Sequence, residues 1–177
     1  MQNAPTLLKR HRQRKALRLA RWAVLPAALL ATTPASAADY VVITREIAVE
    51  RPADAVWARI GGYCAIGEWL KVPCAIVSGS GGVGTIRRIG PSTLEPMVAA
   101  TPHSYTYSQI AGGSAGIDYH GTLAVEPLGP KRARIVYTVV YDRAAMPSDE
   151  VRQTQFDLIG ARFQKAVETM KQLAEAK

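Results

Sequence analysis

From Val41 to Val49 every second side chain is apolar apart from Arg45. Val41, Ile43, Ile47 and Val49 share one face, and Thr44, Glu46 and Ala48 share the other. A two-residue period predicts a strand with one face on a core. At Arg51-Pro52 the period changes. Ala53, Val56, Trp57 and Ile60 recur at helical spacing, Pro52 suits a first turn, and Gly61-Gly62 ends the run, which predicts a short helix. A second short helical piece, about 63–70, carries Ile66 and Trp69. Strands are then predicted over 75–78, 85–89, 93–99, 104–110, 117–126 and 134–141. Gly79-Ser80-Gly81-Gly82, Gly90-Pro91 and Pro127-Leu128-Gly129-Pro130 supply three of the intervening turns.

Short gaps between these strands predict antiparallel neighbours. The chain closes on a long helix capped by Ser148 or Asp149, with Phe156, Ile159, Gly160, Phe163, Val167, Met170 and Leu173 along one side. About 25 residues give roughly 37 Å of helix. No other helix in the sequence is long enough to pair with it, so its apolar side is expected to pack on the sheet. The order predicts an α+β helix-grip: a seven-stranded antiparallel sheet curved around the C-terminal helix, with two short helices after the first strand. Such a sheet leaves a space under the helix, lined by its inner face.

One strand has an unusual inner face. In His103 to Ile110 (HSYTYSQI), Tyr105, Tyr107 and Gln109 alternate with Ser104, Thr106 and Ser108. The tyrosine face is expected to point inward, because a ring fills space while its hydroxyl reaches a partner. In a dry core such hydroxyls need protein acceptors; in a pocket they meet water or a ligand. Tyr107→Ala is accordingly expected to weaken ligand binding without unfolding the domain.

Charge narrows the function. The chain carries 22 basic and 14 acidic side chains, a formal +8. Seven of the basic ones, Lys9, Arg10, Arg12, Arg14, Lys15, Arg18 and Arg21, lie in the first 37 residues, which hold no acid. Without them 15 basic face 14 acidic side chains, so the body of the protein lacks the basic surplus of a nucleic-acid reader. The basic segment, the apolar run Trp22 to Ala31 and the small-residue sequence Ala35-Ser36-Ala37 predict a secretory signal peptide over 1–37. The apolar run is short for a membrane span, so no stable span is expected after cleavage. The remaining 38–177 make one domain, expected in the periplasm or outside the cell. In an oxidising compartment Cys64 and Cys74 can bridge; the alternative is two separate buried thiols, and the bridge is favoured. No metal site can be assembled from His103, His120 and these cysteines, and no cofactor is expected.

The segments PADAVWARIGGY, VGTIRRIG and SYTYSQI with DYHGTLAVEP and RARIVYTVVY resemble the START-like helix-grip (SRPBCC) superfamily, over about 40–175. That superfamily includes the bacterial polyketide cyclase/dehydrase group, the birch-pollen allergen family and the plant abscisic-acid receptors. The resemblance implies a ligand pocket. Lys71 in EWLKVPC and Glu95 in TLEPM match charged pocket positions of the plant receptors. Tyr107 and Tyr119 match aromatic ones, Tyr137 a position on the last strand, and Phe156, Gly160 and Gln164 the pocket side of the final helix. The two gating loops fall at Gly90-Pro91-Ser92 and at 111–115, but read IGPST and AGGSA here, unlike the receptors.

Three functions remain. The first is an exported carrier that holds a small hydrophobic or amphipathic molecule. The second is a cyclase- or dehydratase-like enzyme in which Glu95 and Lys71 form a proton-transferring pair. The third is an envelope interaction domain without ligand. Of the adjacent Arg87 and Arg88, alternation turns one inward, where it can bind an acidic group in bidentate fashion.

Overall fold

A computed structural model describes residues 37–176; the predicted signal peptide, apart from Ala37, lies outside them. The described chain forms β1 (Tyr40–Val49), α1 (Ala53–Ile60), α2 (Ile66–Trp69), β2 (Cys74–Ser78), β3 (Ile86–Ile89), β4 (Thr93–Thr101), β5 (Ser104–Ser108), a single 3-10 turn (Ala115–Ile117), β6 (His120–Gly129), β7 (Arg132–Asp142) and α3 (Asp149–Glu175). The strands make one sheet in the order β1-β7-β6-β5-β4-β3-β2, with every neighbouring pair antiparallel. This is the helix-grip expected from the sequence.

The two-residue period sets the inner face. On β7, Ala133, Ile135, Tyr137, Val139 and Tyr141 are buried and the residues between them are less so. Gly121, Leu123 and Val125 of β6, Tyr105 and Tyr107 of β5, and Glu95 and Met97 of β4 continue that face. Arg87 of β3, directly opposite Glu95, extends it toward the edge. The tyrosine face of β5 therefore points inward.

Ser148 caps α3, its hydroxyl accepting from the Val151 N–H at 3.3 Å. The helix packs against β1, β7, α1 and α2. Ile159, Phe163, Val167 and Met170 are buried beneath it, and each such side chain contributes roughly 1.5–3 kcal/mol when fully buried. Packing of this stripe, more than propensity, holds the helix in place.

Some boundaries differ from the expected ones. The fifth strand stops at Ser108 rather than 110, and the sixth begins at His120 rather than 117. Between them the chain makes the 3-10 turn and then passes through Asp118 in the left-handed region (φ 47°), which breaks the ladder.

Cys64 and Cys74 are joined, with Cα atoms 5.5 Å apart. The bond ties the turn before α2 to the first residue of β2, across a sequence separation of 10. Its reduction is expected to cost about 2–3 kcal/mol, the loop-closure entropy of so short a loop. Denaturant unfolding with and without reductant measures this. An unchanged midpoint would show that the bridge adds nothing to the fold.

Candidate functional site

Under α3 the sheet leaves a cavity of about 310 Å³. Ile66, Leu70 and Val72, from α2 and the segment after it, close one side. Ile89, Thr93 and Glu95 enter from β3 and β4, and Tyr107 and Gln109 from β5 and its end. Ser114 and Tyr119 come from the β5–β6 connection. The helix contributes Gln155, Ile159, Arg162 and Phe163. A second cavity of about 420 Å³ lies between α1 and the β4–β5 hairpin, walled by Trp57, Tyr63, Met97 and Tyr105. It is larger, but no Asp, Glu, Lys, Arg or His lines it. Chemistry therefore favours the first.

Glu95 is the charged group buried against that cavity, at 4% exposure. It faces Arg87, which is fully buried. Arg87 Nε donates to Glu95 Oε2 at 2.8 Å, and Nη2 lies 2.7 Å from the same oxygen without hydrogen-bond alignment. Arg87 Nη1 donates to the Tyr63 carbonyl at 2.7 Å and more weakly to the Tyr105 hydroxyl at 3.4 Å. The guanidinium carbon sits 4.4 Å from the centre of the Tyr63 ring and 4.6 Å from that of Tyr107, within cation–π range of both. Tyr63 in turn donates its hydroxyl to the Glu95 backbone carbonyl at 2.8 Å. A buried charge pair needs its remaining polar atoms met; here Nη1 is met by the Tyr63 carbonyl and the guanidinium faces by two rings, while Oε1 is left to the cavity.

Burial pushes the Glu95 carboxyl above its ordinary range. The charge of Arg87 and its hydrogen bond pull the other way without cancelling the shift. Burial alone would lower Arg87, but the surrounding Tyr105 hydroxyl and Glu95 carboxylate raise it, so it stays protonated. Glu95 Oε2 takes both contacts from Arg87. Its Oε1 accepts no hydrogen bond from the described residues, and the carboxyl lines the cavity. The site thus holds one acceptor, or one acid proton, available to an occupant.

The tyrosines form the rest of the floor. Tyr107 and Tyr137 share a hydroxyl–hydroxyl bond of 2.8 Å. Tyr137 also stacks on Phe163, with ring centres 4.2 Å apart, and meets the edge of Trp69. Burial raises the Tyr119 hydroxyl above its usual range; the neighbouring Tyr107 hydroxyl first, and then the charges of Arg162 and Arg87, pull it partly back.

Glu95, Tyr107 and Tyr119, named from the sequence as ligand-binding, thus do line the cavity. Other named residues do not. Lys71 is exposed: the chain leaves α2 through a left-handed turn at this residue (φ 58°), and Glu95 pairs with Arg87 instead. Tyr137 is fully buried behind Tyr107 and Phe163. Phe156 packs half-buried against the core. Gly160 faces β1, where a Cβ would stand 2.6 Å from Arg45 Nη2, and Arg45 Nε donates to its carbonyl at 3.2 Å. Gln164 is exposed and donates to Glu168 one turn on.

Of the four helix residues that do line the cavity, Phe163 belongs to the buried stripe, and Gln155, Ile159 and Arg162 lie toward a different flank of α3. At about 100° per residue they sit on one side of the buried stripe, and Phe156, Gly160 and Gln164 sit on the other. Polar residues at helical spacing beside Ile159 were their mark in the sequence, but Gln164 gives the other flank a polar residue too, so the mark does not single them out.

Residues 40–175 match the family model described as polyketide cyclase / dehydrase and lipid transport. The chain belongs to that family. Among curated proteins, none matches it. Solved structures resemble this polyketide cyclase/dehydrase family member over most of their lengths. The Zhui aromatase/cyclase from Streptomyces sp. R1128 is 16% identical with a TM-score of 0.62, covering 77% of this chain and 94% of its own. Norcoclaurine synthase from Thalictrum flavum, in complex with dopamine and hydroxybenzaldehyde, is 21% identical with a TM-score of 0.59, covering 79% and 91%. A protein from Nitrosospira multiformis is 19% identical with a TM-score of 0.62, covering 75% and 94%. At these identities the likeness is one of fold.

Proposed function

We propose that this family member is exported and holds a small hydrophobic or amphipathic molecule in the cavity between its sheet and its C-terminal helix. The observation that carries the reading is the cavity itself. It has apolar and aromatic walls and a volume of about 310 Å³, with one buried carboxyl whose Oε1 is left for an occupant. Small-molecule pockets run from roughly 300 to 1,000 Å³, so the occupant is small. The open space weighs against an interaction domain without ligand. The family description includes lipid transport, and two structural neighbours are named for work on aromatic compounds, which supports the same class of occupant. Export rests on the N-terminal sequence.

Native mass spectrometry of the full chain, expressed with its leader and recovered from the periplasm or medium, tests this reading. An adduct of a few hundred daltons, released on denaturation, is the expected result, on a chain that begins at Ala38. A ligand-free mass overturns the carrier, and a retained leader overturns export.

One observation favours a second reading. Glu95 combines a raised pKa, a spare oxygen and a position on the cavity wall, the properties of a general acid or base. In a cyclase- or dehydratase-like enzyme it would act alone, with Arg87 holding it in place and Lys71 taking no part. Conversion of an aromatic polyketide substrate that is lost in Glu95→Gln would support this reading; conversion that persists would remove it.

A further inference from the structure

Four side chains line the cavity from α3, and one of them is charged. Arg162 is an exposed residue, yet it lines the cavity and lies close enough for its charge to act on the Tyr119 hydroxyl. Its helical neighbours at three and four residues, Leu158, Ile159, Lys165 and Ala166, include no acid. Like Arg45, Arg51 and Arg88 it makes no ion pair with any described residue, but of these four it alone lines the cavity. Arg87 and Glu95 neutralise one another, so the cavity's charge balance is set by Arg162 and is positive. Gln109, Ser114 and Gln155 add neutral polar groups to the lining. The other charged group, Glu95, is a buried residue on the sheet side whose Oε1 accepts no hydrogen bond from the described residues and is open to the cavity.

We infer that the ligand is an aromatic hydroxy acid, its ring against Tyr107, Tyr119 and Phe163, its hydroxyl on Glu95 Oε1 and its carboxylate on Arg162. This rests on the reading of the cavity as a ligand site and deepens it. A guanidinium fork matches a carboxylate with two parallel hydrogen bonds, which a lysine or a neutral amide cannot reproduce. Arg162 is thus a specificity-determining residue: it selects for an anion, while the rings supply affinity that does not depend on charge. Because it is exposed, its contribution is screened, and salt weakens it.

The test uses three probes on the full protein as recovered from the cell after ligand stripping: hydroxynaphthoate, its methyl ester and naphthoate. Binding is followed by titration calorimetry or by quenching of protein fluorescence. Wild type is expected to bind the acid roughly tenfold more tightly than the ester, with the gap narrowing at high salt. Arg162→Gln is expected to abolish that preference without weakening the ester, and Arg162→Glu to reverse it. Loss of the hydroxyl in naphthoate is expected to weaken binding in both wild type and Arg162→Gln. Since Arg162 has no partner in the fold, an unchanged melting temperature in both variants is expected and establishes that the comparison is between folded proteins. Equal affinity for acid and ester, or a preference that survives in Arg162→Gln, overturns the anion anchor and leaves the cavity as a ligand site. Failure of all three probes to bind overturns both, since molecules of this size and shape are what the cavity is read to hold.

Discussion

Arg87→Met is expected to lower the unfolding free energy by about 3–5 kcal/mol, the cost of removing one partner from a buried charge pair. Methionine fills much of the arginine stem's volume, so little of the loss is cavity. The loss comes from Glu95, left buried at 4% exposure with no cation, and from the Tyr63 carbonyl, which loses its donor. For a domain of this size the melting temperature should fall by roughly 10–20 °C. Replacing both partners, Arg87→Met with Glu95→Leu, removes the stranded charge and is expected to recover most of the deficit. The defect should also depend on pH. In the folded protein the Glu95 carboxyl lies above its ordinary value of 4.5, so the folded state holds that proton more tightly than the unfolded one. A raised carboxyl contributes stability at low pH that is lost as pH rises from the unfolded value through the folded one. Without Arg87 the two pulls that lower Glu95 vanish, so the folded value rises further and more stability is lost across a wider window. The deficit of Arg87→Met should therefore be small near pH 4 and grow toward neutrality. Denaturant unfolding of both proteins at a series of pH values measures it, the other carboxylates cancelling in the difference. A deficit below about 1 kcal/mol at every pH would mean that the pair does not hold the fold.

This pair also marks how far the sequence could be read. Alternation in TIRRI requires one of Arg87 and Arg88 to face inward, but alternation alone does not say which. The answer comes from the neighbouring strand: directly opposed residues in an antiparallel ladder share a face, and Arg87 stands opposite Glu95. The fold was legible because a two-residue period and a 3.6-residue period cannot be confused over strands and a helix of this length. The helix side of the cavity was less legible for a geometric reason. An apolar stripe on α3 wide enough to meet a curved sheet has two flanks. Phe156, Gly160 and Gln164 follow the flank toward β1, and Gln155 and Arg162 follow the flank toward β3 to β6. Nothing in helical spacing distinguishes the two. Lys71 was misplaced because its orientation depends on a left-handed backbone at the end of a four-residue helix, a feature lysine itself does not signal.

Tyr107→Ala, which the sequence marked as a test of binding alone, is expected to cost about 3–5 kcal/mol of stability, as truncation of a buried aromatic does. The residue is 1% exposed, and only one side of it meets the cavity. The other sides hold the interior together. Its hydroxyl bonds that of Tyr137, its ring lies 4.6 Å from the Arg87 guanidinium carbon, and it packs directly over Gly121, its partner across β5 and β6. Gly121 has no Cβ because the Tyr107 ring takes that space, and a methyl there would overlap the ring. Gly121→Ala should therefore cost about 1–3 kcal/mol by overpacking, and should push Tyr107 out of place, weakening any ligand that rests on it. The two substitutions are predicted to couple. In a Tyr107→Ala background the space over residue 121 is open, so Gly121→Ala should cost little or even restore stability by filling part of the gap. The double mutant should then be more stable than the sum of the single effects implies, by about 1–3 kcal/mol. Tyr107→Phe separates the hydroxyl from the ring: it keeps the packing over Gly121 and leaves the Tyr137 hydroxyl without its partner, for about 1–3 kcal/mol. Additive costs for Tyr107→Ala and Gly121→Ala would show that the ring does not occupy the glycine's space, and would remove the reason for reading Tyr107 as part of the scaffold as well as of the cavity wall.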